Sequence, residues 1–183
     1  MNAATHEYIK RLTCLKVGDL GLLRTHAGQG LDESLEGFDL FTGLWWPLRQ
    51  KNQRAPRRST AWLIAKLYAF QPVEHGEEQF LASQLRRCEP REERERKRFR
   101  NKFDALLRQP LERIEPALQW AIREIASNPV GLRFDWVQLT DDLSIWEREE
   151  TRLKWAEQYL EKNTTGLPPV ETSVSENERT PPC

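Results

Sequence analysis

Two stretches of this sequence concentrate cations. From Arg49 to Lys66 the basic residues are Arg49, Lys51, Arg54, Arg57, Arg58 and Lys66, with no acid among them, a local charge of +6. From Arg86 to Lys102 nine basic residues stand against four acids, a local charge of +5. The net charge of the whole chain is zero, so acid must gather elsewhere, notably at Asp32, Glu33, Glu36 and Asp39, and between Asp141 and Glu150. Such sign segregation implies a polarised surface. Guanidinium and ammonium groups bind phosphate oxygens without regard to base, so the chemistry on offer is recognition of a nucleic-acid backbone.

Spacing narrows the candidates. Glu92–Arg96 and Glu93–Lys97 stand at i,i+4 in the favourable direction and are expected to pair. That leaves Arg94, Arg98, Arg100 and Lys102 uncompensated. Arg94, Arg98 and Lys102 recur every fourth residue and share one helical stripe, whereas Arg100 lies about 160° from Arg98. The stripe is one candidate site, and the Arg54, Arg57 and Arg58 loop is a second. Arg24, Arg108, Arg123, Arg148, Arg152 and Lys154 are further single candidates. Aromatic residues do not interleave with these cations as on a base-stacking platform; Trp45-Trp46, beside Arg49 and Lys51, is the exception. Adjacent tryptophans cannot both face one core side of a helix, so one is expected at the surface.

Catalytic patterns are missing. His6, His26 and His75 have no metal-like spacing, and the sequence has no P-loop, GxGxxG or GxSxG. Asp141-Asp142 resembles a paired-acid metal site only superficially, because neighbours on a helix point about 100° apart. One exposed acid and one inter-helix salt bridge is the expected arrangement. The three cysteines, Cys14, Cys88 and Cys183, show no CxxC spacing, so neither disulfides nor zinc are expected. Cys14 and Cys88 read as small helix residues. No cofactor is called for.

The elements that must carry these residues read as helices throughout. Thr5 is placed to cap a helix reaching about Leu15, and Asp19 one ending near Gly28. Phe38 to Trp46 is expected to stop at Pro47, and Gln50 to Arg58 to form a basic loop. Ser59 or Thr60 would cap a helix ended by Gln71-Pro72. Another is expected from about Glu77 to Cys88. Pro90 fits the first turn of the basic helix, which runs to Leu107. Pro110 opens the next helix, with Pro116 either kinking it or marking its true start. Asn128 to Gly131 is a turn. Asp135 then caps a helix whose Trp136, Leu139, Leu143 and Trp146 fall on one face, and a last helix presents Leu153, Ala156 and Leu160, with Trp155 and Tyr159 on a neighbouring stripe. The expected fold is all-α, with eight or nine helices. It divides into an N-terminal bundle (1–75), a C-terminal bundle with the basic helix (76–162) and a disordered tail (163–183) poor in large apolar residues.

The order of these residues resembles a known family. Phe134-Asp135-Trp136, Leu139, Asp141-Asp142-Leu143, Trp146 and Leu153-Lys154-Trp155-Ala156 with Tyr159 resemble the C-terminal signature of the CasB family, the small subunit of the type I-E CRISPR Cascade complex. Gly18-Asp19-Leu20 followed by Leu22-Leu23-Arg24 is similar to the family's N-terminal element. Trp62 to Ala65 with Leu67 to Ala69 looks like its long core helix. Phe80 to Ala82 with Leu85, and Arg98-Phe99 to Lys102-Phe103 with Leu106-Leu107, resemble its middle. The likeness covers roughly Leu12 to Glu161. It departs where the family has a serine–phenylalanine–glycine segment and this chain has Gln79-Phe80-Leu81. The resemblance implies an all-helical, non-enzymatic subunit that assembles as a pair on a crRNA-guided complex. It would touch the Cascade backbone and large subunits, and contact crRNA and target DNA independently of sequence.

Two other classes fit the residues alone: a helical adaptor that binds only protein, and a different RNA-binding helical protein. No run approaches 18 apolar residues, and Met1 to Lys16 has no apolar core of a secretory signal. The expectation is a cytoplasmic protein without a membrane partner.

Overall fold

The computed structural model of the protein describes residues 3–31 and 35–161; the expected tail at 163–183, with Cys183, lies outside them. Among the described residues there are nine α-helices. These are α1 (Ala3–Thr13), α2 (Val17–Thr25), α3 (Leu35–Lys51), α4 (Arg58–Phe70), α5 (Leu81–Arg86), α6 (Glu93–Arg108), α7 (Glu115–Ala126), α8 (Trp136–Ser144) and α9 (Glu149–Leu160). One 3₁₀ turn, Leu111–Arg113, precedes α7. None of these helices is long and apolar enough to cross a membrane.

α4 is the central helix. Nine of its residues are buried, from Thr60 to Lys66 with Leu67 and Ala69, and it packs against α2, α3, α7 and α8. A helix apolar on nearly every side must be covered on every side. α5 packs on α7 and α9, and α6 on α7 and α9, so α7 is the shared neighbour of α4 and α6. One apolar core runs from Ala4 on α1 to Tyr159 on α9.

Several expectations hold at residue level. Asp135 caps α8, accepting from the Val137 and Gln138 N–H groups at 2.9 Å each. Trp136, Leu139, Leu143 and Trp146 are all buried. Pro116 sits in the first turn of α7 and marks its start. Gly131, at φ +68°, closes the 128–131 turn by donating to Asn128 O.

Other boundaries differ. α3 continues through Pro47 to Lys51 instead of stopping. The carbonyl that Pro47 cannot bond belongs to exposed Gly43, where water can take it. The turn beyond Pro47 is fixed by burial of Leu48 and by Arg49 Nη1, which donates to Ala55 O at 2.9 Å. Thr5 does not cap α1; it lies inside the helix and donates to Asp141 Oδ1 at 2.7 Å. The α2 N-cap is Lys16, with Asp19 in the first turn. Arg57 takes the N-cap of α4, and the Thr60 hydroxyl is buried without a partner among the described residues. α5 starts four residues later than expected, because the chain before it pairs elsewhere. Gly76 N–H donates to Phe134 O (3.0 Å) and Asp135 N–H to Gln79 O (2.8 Å). Glu78 adopts φ +59° there and donates to Asp135 Oδ2. Cys14 and Cys88 fall just past helix ends.

α9 turns a different face inward from the one expected. Trp155 and Tyr159 are buried, whereas Leu153 is 57% and Leu160 73% exposed. Trp155 meets Trp146 edge to face at 4.9 Å, and Tyr159 stacks on Phe103 at 4.1 Å. The aromatic stripe buries more area than the leucine stripe and takes the core side.

Candidate nucleic-acid interface

α6 presents its basic stripe to solvent on its flank, with Phe99, Phe103 and Leu106 holding the adjoining face in the core. Arg94, Arg98 and Lys102 are exposed, one turn apart, about 6 Å along the axis from each to the next. Arg94 and Arg98 have no side-chain partner among the described residues. Lys102 Nζ stands 5.5 Å from the centroid of the Trp120 ring. Glu93 and Glu95 occupy the first turn of α6, where the helix dipole favours acid, and Arg108 its last, where it favours a cation.

The expected i,i+4 pairs do not form. Among the described residues no ion pair joins Glu92 to Arg96 or Glu93 to Lys97. Arg96 instead donates Nε to Pro90 O at 3.2 Å and a second N–H to Arg91 O. Arg100 is not uncompensated either; it makes a two-pronged contact with Glu89, at 2.8 and 3.1 Å. Glu89 also receives Arg86 and the Tyr159 hydroxyl, the latter at 2.5 Å. Burial pushes the Glu89 carboxyl up, but the hydrogen bonds from Arg100, Tyr159 and Arg86 outweigh it and hold the group at about 2. This carboxylate ties the α5–α6 turn and α6 to α9. The chain is committed to that turn at Glu89, so α6 begins at Glu93, three residues past Pro90.

The second candidate is the loop from Asn52 to Arg57. Two side chains of α3 fix it from beneath: Trp45 Nε1 donates to Pro56 O (2.8 Å), and Arg49 donates to Ala55 O and Gln53 O. Ala55 and Pro56 are buried, and Arg54, Arg57 and Arg58 project outward. Trp45 is thus the buried member of its pair and Trp46, 48% exposed, the surface one. Arg58 also rims a cleft of about 280 Å³, at whose base Lys66 and Glu115 form a buried ion pair at 2.5 Å. The loop and the α6 stripe sit on different elements, the loop between α3 and α4 and the stripe on α6, with α7 packed against both α4 and α6.

The single candidates divide. Arg24 donates Nε to Ala69 O at the C-terminal end of α4, closing a helix end. Arg152 donates to Trp146 O (3.1 Å) and pairs with Glu147 (3.0 Å). Lys154 pairs with Asp142 at 3.1 Å. These three are bound into the fold. Arg123 is exposed and lies over the Phe70 ring at 5.2 Å. Arg108 and Arg148 are exposed, with no side-chain partner among the described residues. Asp142 is the inter-helix acid, buried and bonded to Trp155 Nε1, Gln138 Nε2 and Lys154, while Asp141 is half-buried against Thr5 rather than exposed. Among the described residues no cluster of His, Cys, Asp and Glu could hold a metal ion.

The family model described as CRISPR-associated protein Cse2 matches residues 19–160. The chain belongs to the Cse2 family. No curated protein matches it. Solved structures extend the Cse2 likeness to the fold. CasB from Thermus thermophilus aligns at 22% identity, covering 87% of this chain and 98% of that one, with a TM-score of 0.63. M. ruber CasB aligns at 20% identity over 86% and 92%, with a TM-score of 0.67. CasB from Thermobifida fusca aligns at 18% identity over 78% and 84%, with a TM-score of 0.59. The Cse2 match takes in every candidate cation named above, from Arg24 to Lys154.

Proposed function

We propose that this chain is the non-catalytic small subunit of a type I-E Cascade complex. In this role it holds nucleic-acid backbone and steadies the R-loop in antiviral defence. The observation that carries the reading is the α6 stripe: three cations at one-turn spacing, exposed on the flank of a helix whose Phe99, Phe103 and Leu106 anchor it in the core, in a chain of a CRISPR-associated family. The exposed arginines of the α3–α4 loop supply a second set of contacts. In RNA-guided recognition base pairing reads sequence and the protein reads charge and shape; R-loop opening is nearly balanced, so a few phosphate contacts tip it. The partners are crRNA and target DNA, the Cascade backbone and large subunits, and a second copy of this chain, all in the cytoplasm.

The test is a salt-titrated binding assay of the full chain with two unrelated DNA sequences, alongside co-purification with the Cascade backbone and large subunits. Sequence-independent binding that falls steeply with salt, together with co-purification, supports the reading. Co-purification without DNA binding at low salt would make the chain a protein-only scaffold. Tight RNA-selective binding by the isolated chain, without co-purification, would place it in another ribonucleoprotein.

A further inference from the structure

The aromatics of α6 itself, Phe99 and Phe103, are buried in the core, but the fold brings another to its cations from a neighbouring helix. Trp120 comes from α7 and lies against the stripe, with the Lys102 ammonium 5.5 Å from its ring centroid. The indole is half-buried and fixed in two ways. Its Nε1 donates to Glu124 Oε1 at 2.8 Å, and Phe99 packs against it edge to face at 5.0 Å. One flank of the ring is therefore set in the core, and the cation that covers it belongs to a flexible, exposed side chain.

From this arrangement we infer that Trp120 is a base-stacking platform, and that the α6 surface takes an unpaired nucleobase of single-stranded DNA while Arg94, Arg98 and Lys102 hold the flanking phosphates. The inference rests on the phosphate-binding role of the stripe proposed above. A base stacked on an aromatic ring gains more than an exposed ammonium does from the same ring, so the base displaces Lys102. Lys102 remains within one side-chain length and turns to a phosphate instead. The pre-set indole loses little freedom on binding, which favours stacking further. Duplex DNA keeps its bases paired and stacked and has nothing to offer Trp120. The surface should thus discriminate single-stranded from double-stranded DNA, which phosphate contacts alone do not do.

The test compares Trp120→Leu and Trp120→Phe with the unmodified full chain. Binding to an oligodeoxythymidylate and to a duplex is measured over a salt series. Trp120→Leu should weaken single-strand binding by about 5- to 140-fold. Duplex affinity and both salt slopes should stay unchanged, and Trp120→Phe should retain most of the single-strand affinity. Equal losses on duplex and single strand, or no loss on either, overturn the inference. If the leucine variant does not fold, photo-crosslinking of the unmodified chain to 5-iododeoxyuridine DNA decides. An adduct at Trp120 supports the platform, and adducts only elsewhere, for example at Trp46, refute it. Failure of the underlying reading looks different: the unmodified chain then binds neither DNA with a salt slope.

Discussion

Replacing Arg94, Arg98 and Lys102 together by alanine separates phosphate contacts from folding contacts. All three are exposed on α6, and none is joined to a carboxylate among the described residues, so their removal should leave stability nearly untouched. If each neutralises one phosphate, three contacts at about 0.9 apiece reduce the magnitude of the log K against log salt slope by about 2.7 on duplex DNA. At about 0.7 apiece the reduction is about 2.1 on a single strand. Between 50 and 200 mM salt, a fourfold span, the unmodified chain should therefore lose about 40-fold more duplex affinity than the variant. The assay is fluorescence anisotropy with two unrelated sequences, and the loss should be the same on both. The matching control is Arg24→Ala with Arg152→Ala. Those arginines bond to Ala69 O and to Trp146 O and Glu147, so their removal should lower the melting temperature and leave the slope alone. An unchanged slope in the triple variant, with a lowered melting temperature, would refute the assignment and make the stripe a structural feature.

Four further outcomes follow from the packing and the charge distribution. Asp142→Ala strands the buried Trp155 indole N–H and the Gln138 amide and frees Lys154, and should cost about 2–3 kcal/mol in denaturant unfolding. Glu89, held at about 2 in the folded chain, contributes stability that is present above its ordinary value of 4.5 and lost as pH falls through about 2. Acid unfolding of Glu89→Gln should accordingly show a shallower loss across that window. Reversing the exposed acids with Glu149→Lys and Glu150→Lys moves the net charge from 0 to +4 and should preserve or strengthen DNA binding. Glu147→Lys should instead lower the melting temperature, since Glu147 accepts from Leu111 N–H at 3.1 Å and pairs with Arg152.

What the sequence made legible was local. The Asp135 cap, the tryptophan face of α8, the stop at Gln71-Pro72 and the 128–131 turn each depend on residues within a few positions of one another, and each is found. What it hid depends on tertiary partners. Pro47 breaks a helix in isolation, but burial of Leu48 and the Arg49 bonds extend α3 past it. The leucine stripe of α9 lost the core to Trp155 and Tyr159 only because Trp146 and Phe103 lie opposite. Glu89 neutralises Arg100 from eleven residues away, a spacing no helical pairing rule reaches. Trp120 joins the stripe from another helix, and its only advance signal was a tryptophan on the amphipathic α7 with a glutamate four residues on.

The division of arginines into bound and presented follows a physical rule that sequence alone does not state. Helix ends and chain breaks leave carbonyl oxygens without intrahelical partners, and a nearby guanidinium is the strongest donor available to them. Arg24 reaches such an oxygen at the end of α4, Arg49 in the α3–α4 loop, Arg96 before α6 and Arg152 between α8 and α9. Each of these four lies within reach of a break. Arg94 and Arg98 are exposed and meet no such oxygen among the described residues, and the Lys102 ammonium lies over the Trp120 ring rather than on a carbonyl. Counting arginines therefore overstates a nucleic-acid surface. The relevant number is the cations left after every chain break has taken its share, and on α6 that remainder includes, beside Lys97 and Arg108, a stripe with the repeat of a single helical turn.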